Sequence, residues 1–456
     1  MFDPGTASYL FGLAVAIAGG FFGAVIGGNF AFAITGFTVL TSFGIYLGTE
    51  STAGFTYLAF GPFAGPHIAF AGGVGAAAYA ARRGYADGKD ATSPLARLGK
   101  PDVLWVGAAF GVFGYVVQNL ITKIPWFGSH TDSVALTVVL SAVVARLVAG
   151  GNFLNREKFN DSTSFLGKIA PSDDAAWLRY QEKPSQYLPL GAMFGLLSGG
   201  ATLFIALAFP KLAATGNAQT FAFAISALCV MFLILGAEMP VTHHITISAG
   251  LASVAFLPVL ADGLIGSSAG QDFWNTMSDR GISLVALFDN SRNVLDAGVK
   301  GQFIMMATVA LLAAVVAGMF AAWLAEIQAR LFHDRGTTHF DPPAAAIWIA
   351  NTIIVSVANI AAPLFEGRAP GVRRPEPGSG ADATLRQSAK RYWTCRERGA
   401  RSEAALSGKR NLGECTTHSG SRKENQCRQP SCTRPMYSTW TARFIWAITC
   451  CLAQPG

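Results

Sequence analysis

The sequence predicts an all-α polytopic membrane protein of about ten transmembrane helices, arranged as two inverted five-helix repeats with broken helices. Three observations predict it. Charged residues make up 13% of the chain and the mean hydropathy is +0.38, against ~25% charged residues in ordinary soluble domains. Apolar runs of roughly twenty residues recur, each long enough to cross a ~30 Å hydrocarbon core. Short motifs from the first half return in the second half, in the same order. A barrel is disfavoured, because the runs are continuous and lack period-2 alternation.

Taken in order, the apolar runs fall near 8–28, 30–48, 66–81, 103–122, 133–150, 187–209, 219–237, 241–261, 303–325 and 344–365. The first lacks a basic leader and runs straight into the second, so it reads as a retained span rather than a cleaved signal. The stretch 52–81 stays apolar for thirty residues around "GPFAGP", too long for one simple span. Pro62 and Pro66 remove helical donors there, which predicts a broken or re-entrant helix with His67 at the mouth of its second piece. Non-helical backbone persists at such depth only inside protein or against a water-filled cavity. The counterpart "GAEMPVTHHITIS" at 236–248 holds Pro240 and is shorter, so its break should be shallower. Gly107-x-x-x-Gly111 in the fourth run offers a small-residue face for close helix packing.

Basic loops set the orientation. Loops 82–102, 146–184 and 326–341 carry 5, 6 and 2 Lys+Arg, whereas the alternate loops carry Lys123, Lys211 and three within 262–302. The basic set is expected in the cytoplasm, with the N-terminus outside. The division is then a first membrane repeat at 1–150, a cytoplasmic linker at 151–185 and a second, inverted repeat at 186–365. Residues 366–456 form a basic, Cys-containing tail.

The repeat rests on five echoes. "SYLFGLAVAIAGG" at 8–20 loosely matches "QYLPLGAMFGLLSGG" at 186–200, and "FAFAI" at 30–34 returns unchanged at 221–225. "LGTE" at 47–50 becomes "LGAE" at 235–238, and "PHIAFAGGVGAAA" at 66–78 answers "HHITISAGLASVA" at 243–255. Last come His130-x-Asp132 and His339-x-Asp341. Each unit has five spans, an odd number, so the second copy must lie upside down. Inverted repeats related by an axis in the membrane plane are characteristic of secondary transporters, whose sites lie where discontinuous helices meet.

The echoes pair four sets of titratable residues: Glu50 with Glu238, His67 with His244, His130 with His339, and Asp132 with Asp341. Ionisable groups at membrane depth are costly unless paired or hydrated, so they mark pathways or partners. Imidazole titrates near neutrality, which suits proton coupling, and in its neutral form it also ligates transition metals. The structural alternative is equally concrete. "HFDPP" places Asp341 as an N-cap with Pro342 at the first helical position, and Asp132-Ser133 is a similar start. Glu50 and Glu238 also read as solvent-exposed loop ends. The eight residues form one midplane site if the breaks are deep. If the breaks are shallow they form two gates, Glu50, His67, His130 and Asp132 outside and Glu238, His244, His339 and Asp341 inside. Thr35, Gln118, Asn119, Thr246, Asn351 and Asn359 are polar residues on the spans that line a route or join helices.

No Walker A, GxGxxG, HExxH or GxSxG motif occurs, which disfavours an ATP-driven pump, a zincin or a serine hydrolase of that type. No cofactor is called for. From about 366 the sequence turns Arg-, Ser- and Pro-rich, holding 16 Lys+Arg against 7 Asp+Glu and six of the seven cysteines. Residues 1–365 hold 18 against 20, so the +7 total belongs to the tail and points to no nucleic acid. The tail lacks periodicity and reads as disordered. Translation out of frame is the favoured origin, with a genuine basic tail for anionic lipid or partners as the alternative.

In these features residues 1–365 resemble the Ala/Gly-rich multi-spanning permease-like proteins of bacterial inner membranes. The resemblance is one of architecture and carries no motif that fixes a substrate. It implies an integral protein of the bacterial plasma membrane whose partners are the bilayer and a small solute or ion, and no enzyme. The function expected is a secondary transporter or permease. An intramembrane metal- or acid/base-dependent enzyme and a non-catalytic scaffold stand as alternatives.

Overall fold

The computed structural model describes residues 4–154, 158–171, 175–265, 271–288 and 295–365; the tail expected from 366 onward lies outside them. Among the described residues all regular structure is helical. The principal helices are α1 (Pro4–Ile26), α2 (Gly28–Thr49), α3 (Ala69–Arg82), α4 (Pro101–Ile121) and α5 (Ser133–Val148), followed by α6 (Pro184–Ala208), α7 (Thr220–Ile234), α8 (His243–Leu260), α9 (Ala297–Gln328) and α10 (Pro342–Phe365). Seven of them, α1, α2, α4, α6, α8, α9 and α10, are long and apolar enough to cross a membrane. Phe11, Leu197, Val316 and Ile360 on these helices are each more than half exposed, an arrangement suited to lipid and not to water. The chain is an integral membrane protein. The runs at 66–81, 133–150 and 219–237 hold α3, α5 and α7, which have 14, 16 and 15 residues. At ~1.5 Å per residue these reach only about 21–24 Å, short of a full hydrocarbon core.

The helices start and stop where local chemistry dictates. Pro101 and Pro184 occupy first-turn positions of α4 and α6, where a missing N–H costs nothing. Gln186 turns back to accept from the Lys183 amide at 2.9 Å, closing the start of α6. At its other end α2 stops on Glu50, whose left-handed backbone (φ 54°) lets its amide donate to Tyr46 O.

The expected break is present. After a wide-turned segment, Gly54–Ala59, the chain runs irregularly through 60–68 before α3 begins. Residues 64–68 are buried, so their backbone needs partners inside the protein. Thr35 of α2 supplies one, donating its hydroxyl to Ala64 O at 2.5 Å. The second interruption, 235–242, is exposed at 235–238 and buried only at its end. Linker residues hold it there: Gln181 exchanges two 2.9 Å hydrogen bonds with the Val241 backbone, and the Tyr180 hydroxyl donates to Met239 O.

Packing follows one plan in both halves. α1 lies on α3 and α4, and α6 lies on α8 and α9; α3 also meets α2 and α5, and α8 meets α7 and α10. α2 packs on α7, and α5 on α10, joining the halves. Small residues set the close approaches. A Cβ on Gly20 would sit 2.3 Å from Gly107 O, and one on Gly111 would sit 2.2 Å from Ala16 O. In the second half, a Cβ on Gly318 would meet Gly191 O at 2.4 Å. The Gly107/Gly111 face thus serves backbone-to-backbone packing against α1.

Candidate functional site

The six helices that join the halves, α2, α3 and α5 with α7, α8 and α10, enclose a cavity of about 400 Å³. Its walls are mainly apolar. Phe32, Phe70, Val138, Phe223, Ile247 and Ile347 line it and belong to one contiguous cluster. Into these walls are set His130, Asp132, His243, His339, Asp341 and Asn351.

The two aspartates are placed by the helices they start. Asp132 Oδ1 accepts from the Ala135 amide at 2.9 Å, and Asp341 Oδ2 from the Ala344 amide at 2.8 Å. Such caps are worth about 1 kcal/mol each. The second oxygen of each looks elsewhere. Asp132 Oδ2 accepts from Asn351 Nδ2 of α10 at 3.1 Å, and Asn351 Oδ1 in turn accepts from Ser248 Oγ of α8 at 2.8 Å. Asp341 Oδ1 lies 3.9 Å from His339 Nε2, beyond hydrogen-bond reach.

The histidines differ in how they are held. His130 stacks on Trp126, with ring centroids 4.5 Å apart, and its Nδ1 is 2.7 Å from Trp126 O. Asn359 Nδ2 of α10 donates to His130 Nε2 at 2.8 Å, so the proton sits on Nδ1. His339 is anchored by its amide donating to Gly88 O at 2.8 Å and by Nδ1 approaching Lys89 O at 3.3 Å. Its Nε2 has no hydrogen-bond partner although the residue is only 6% exposed. His243 is 5% exposed, lies 4.5 Å from the Phe32 ring, and has no partner at Nδ1.

Of the eight residues singled out from sequence, the cavity gathers His130, Asp132, His339 and Asp341. His67 and His244 sit just before α3 and at the head of α8; they are 1% and 0% exposed and lie behind the cavity wall. Nδ1 of His67 and both ring nitrogens of His244 have no hydrogen-bond partner. Glu50 and Glu238 are exposed. Glu50 meets Lys211 at 3.3 Å with both side chains more than half exposed, a contact worth little in stability. Among the described residues no group of three or more His, Cys, Asp or Glu is placed to hold a metal ion.

Sequence reasoning missed His243, which faces the cavity where its neighbour His244 faces protein. The signal was available: His243, Ile247 and Leu251, spaced at i, i+4 and i+8, share one helix face, and all three line the cavity. It also missed Trp177, which reaches the cavity from the linker.

Beside the His339 end lies a buried polar cluster. Arg146 of α5 donates to Thr338 Oγ1 at 3.1 Å and Thr338 O at 2.8 Å, and its guanidinium lies 5.7 Å from the Phe340 ring centroid. Lys89 Nζ donates to Asp334 O at 3.2 Å. Burial pushes the Asp334 carboxyl up to about 6, against the pull of Lys89. Burial likewise lowers Lys89 from its ordinary range. These contacts fasten the 334–341 segment to loop 88–92 and to α5.

The profile of DUF7973, a family of unknown function, matches residues 6–271 and 281–368. The chain belongs to the DUF7973 family. The match covers both halves, the linker and every cavity-lining residue, and it stops three residues after α10. No curated protein and no solved structure matches the chain. For DUF7973 the cavity between the halves is therefore the feature from which a function must be argued.

Proposed function

We propose that this DUF7973 protein is a secondary transporter or permease for a small solute, built as two inverted five-helix repeats around the central cavity. One observation carries the reading: the cavity is lined by matched positions of the two halves. Phe32 and Phe223 occupy equivalent places in the two "FAFAI" segments. Pro66 answers His243, Phe70 answers Ile247, Asp132 answers Asp341 and Ala135 answers Ala344, and all ten line the cavity. A cavity on the axis relating two repeats is where alternating-access proteins bind their solute, with rocking of the halves exposing it to each side in turn. The matching helix neighbours of the two halves support the same reading.

In this arrangement α3, α5 and α7, each extended by the non-helical segment next to it, complete a set of ten spans. The basic loops 82–102 and 146–184 lie in the cytoplasm of a bacterial cell, and the N-terminus lies outside. His130 and Asp132 then guard the outer end of the cavity, and His339 and Asp341 the inner end. Protonation of these groups supplies the coupling.

The experiment is solute flux in proteoliposomes carrying Ala135→Trp or Ala344→Trp. Both alanines are buried at the cavity wall, at 6% and 5% exposure. Either substitution stops flux if solute passes between the halves. Full flux with one of them, in a protein that folds, refutes a shared pathway.

A further inference from the structure

We infer that the cavity binds a small organic cation, an amine carrying an apolar body, with its ammonium group held at Asp341. The inference rests on the permease reading for its biological sense, but the binding site stands on the geometry alone. Among the described residues no Lys or Arg lines the cavity. Lys89 and Arg146, beside the His339 end, are engaged on Asp334 O and on Thr338. An anion entering would meet two carboxylates and no fixed positive side chain. The positive ends of α5 and α10 do not alter this, because each is already capped by its own aspartate.

Acceptors for an ammonium group are present and unused. Asp341 Oδ1 has only the 3.9 Å approach of His339 Nε2, and that nitrogen has no hydrogen-bond partner. His243 Nδ1 is a second cavity residue's nitrogen without a partner. Both histidines are more than nine-tenths buried, and a buried polar atom left unpaired is costly unless a ligand completes it. An ammonium N–H supplies the donor that Asp341 Oδ1 lacks.

The remaining walls specify the rest of the molecule. Phe32, Phe70, Phe223 and Trp177 present aromatic surface, which attracts a cation at ring faces and accommodates an apolar body. A volume of about 400 Å³ falls in the ~300–1,000 Å³ range of small-molecule sites. A bare metal ion would leave these walls unused and would lack the three-ligand group it needs.

The test uses the purified full chain in detergent, titrated calorimetrically with three isosteric series of up to ten carbons. These are aryl- and alkylamines, the corresponding alcohols, and the corresponding carboxylates. At least one amine is expected to bind ten-fold or more tighter than its alcohol, with no binding by the carboxylates. Asp341→Asn should weaken that amine at least ten-fold while leaving the melting midpoint near the parent's, because asparagine caps helices as well as aspartate. Absence of binding by every amine, or carboxylates binding as tightly, overturns the inference. So does full amine affinity in the Asp341→Asn variant. The same proteins in liposomes separate the two proposals. An amine that binds and is never carried leaves the cation site and ends the permease reading; carriage of a carboxylate does the reverse.

Discussion

Gly114 of α4 faces the carbonyl of His67 inside the broken segment, and replacing it with alanine measures how tightly that break is held. An added Cβ would lie 1.8 Å from His67 O, where ordinary contact begins at 3.4 Å, so the two segments must separate by about 1.6 Å. Neither side yields easily. The break is buried and pinned through Thr35 to Ala64, and α4 is pressed on α1 at Gly107 and Gly111. Overpacking of this kind costs ~1–3 kcal/mol, and backbone on both sides puts the cost at the upper end. Alanine regains ~1 kcal/mol of helix propensity, leaving a net loss of about 2 kcal/mol. Gly200→Ala in α6 is the control, since nothing lies within 4 Å of its Cβ position, and it should gain about 1 kcal/mol. Thermal unfolding in a fixed detergent, followed by exposure of buried tryptophan and by monodispersity, reads both variants against the parent. Equal midpoints for Gly114→Ala and Gly200→Ala would falsify the account of a tightly packed break.

Asp341→Ala removes a cap and should cost about 1 kcal/mol, whereas Asp341→Asn keeps stability; identical losses in the two would show that charge, not capping, sets the fold there. Asp334 rises from an ordinary 3.8 to about 6 on folding, so its contribution to stability is full below pH ~4 and falls as pH passes through 6. Asp334→Asn should flatten the pH dependence of the unfolding midpoint over that window, by about 3 kcal/mol at most, and an unchanged slope refutes it. Gln181→Ala strands the Val241 amide and carbonyl, each costing ~1–3 kcal/mol if left unpaired; hydrogen exchange at Val241 should accelerate, and unchanged protection counts against the clamp. For the tail, reading the other two frames of the gene past codon 365 should reveal a hydrophobic continuation; its absence sinks the out-of-frame proposal.

Much of this was legible from sequence because it is local. Helices of sufficient length announce themselves by apolar runs, the break at 60–68 by Pro62 and Pro66, and both aspartate caps by the residues that follow them. What was hidden depends on rotation and on distant chain. His243 and His244 differ by one position, about 100° around a helix, and that angle alone puts one in the cavity and the other behind its wall. Glu50 matched Glu238 as faithfully as Asp132 matched Asp341, yet both glutamates ended in the exposed turns that stop or follow α2 and α7. A repeated motif says nothing of whether the matched place is a surface or a site. Gln181 and Trp177 come from a polar linker with no periodic signal, so their roles could only be seen in three dimensions.

The division of labour within each aspartate has an evolutionary corollary. One oxygen starts a helix and the other is turned away from the cap, to Asn351 in Asp132 and toward His339 in Asp341, so the two demands on the position can be relaxed separately. A serine, threonine or asparagine would still begin α5 or α10 but would present no charge. Across DUF7973, members with such residues at both places should keep the architecture while losing two carboxylates from the cavity wall, so that the letter at these two positions becomes a sorting criterion for the family.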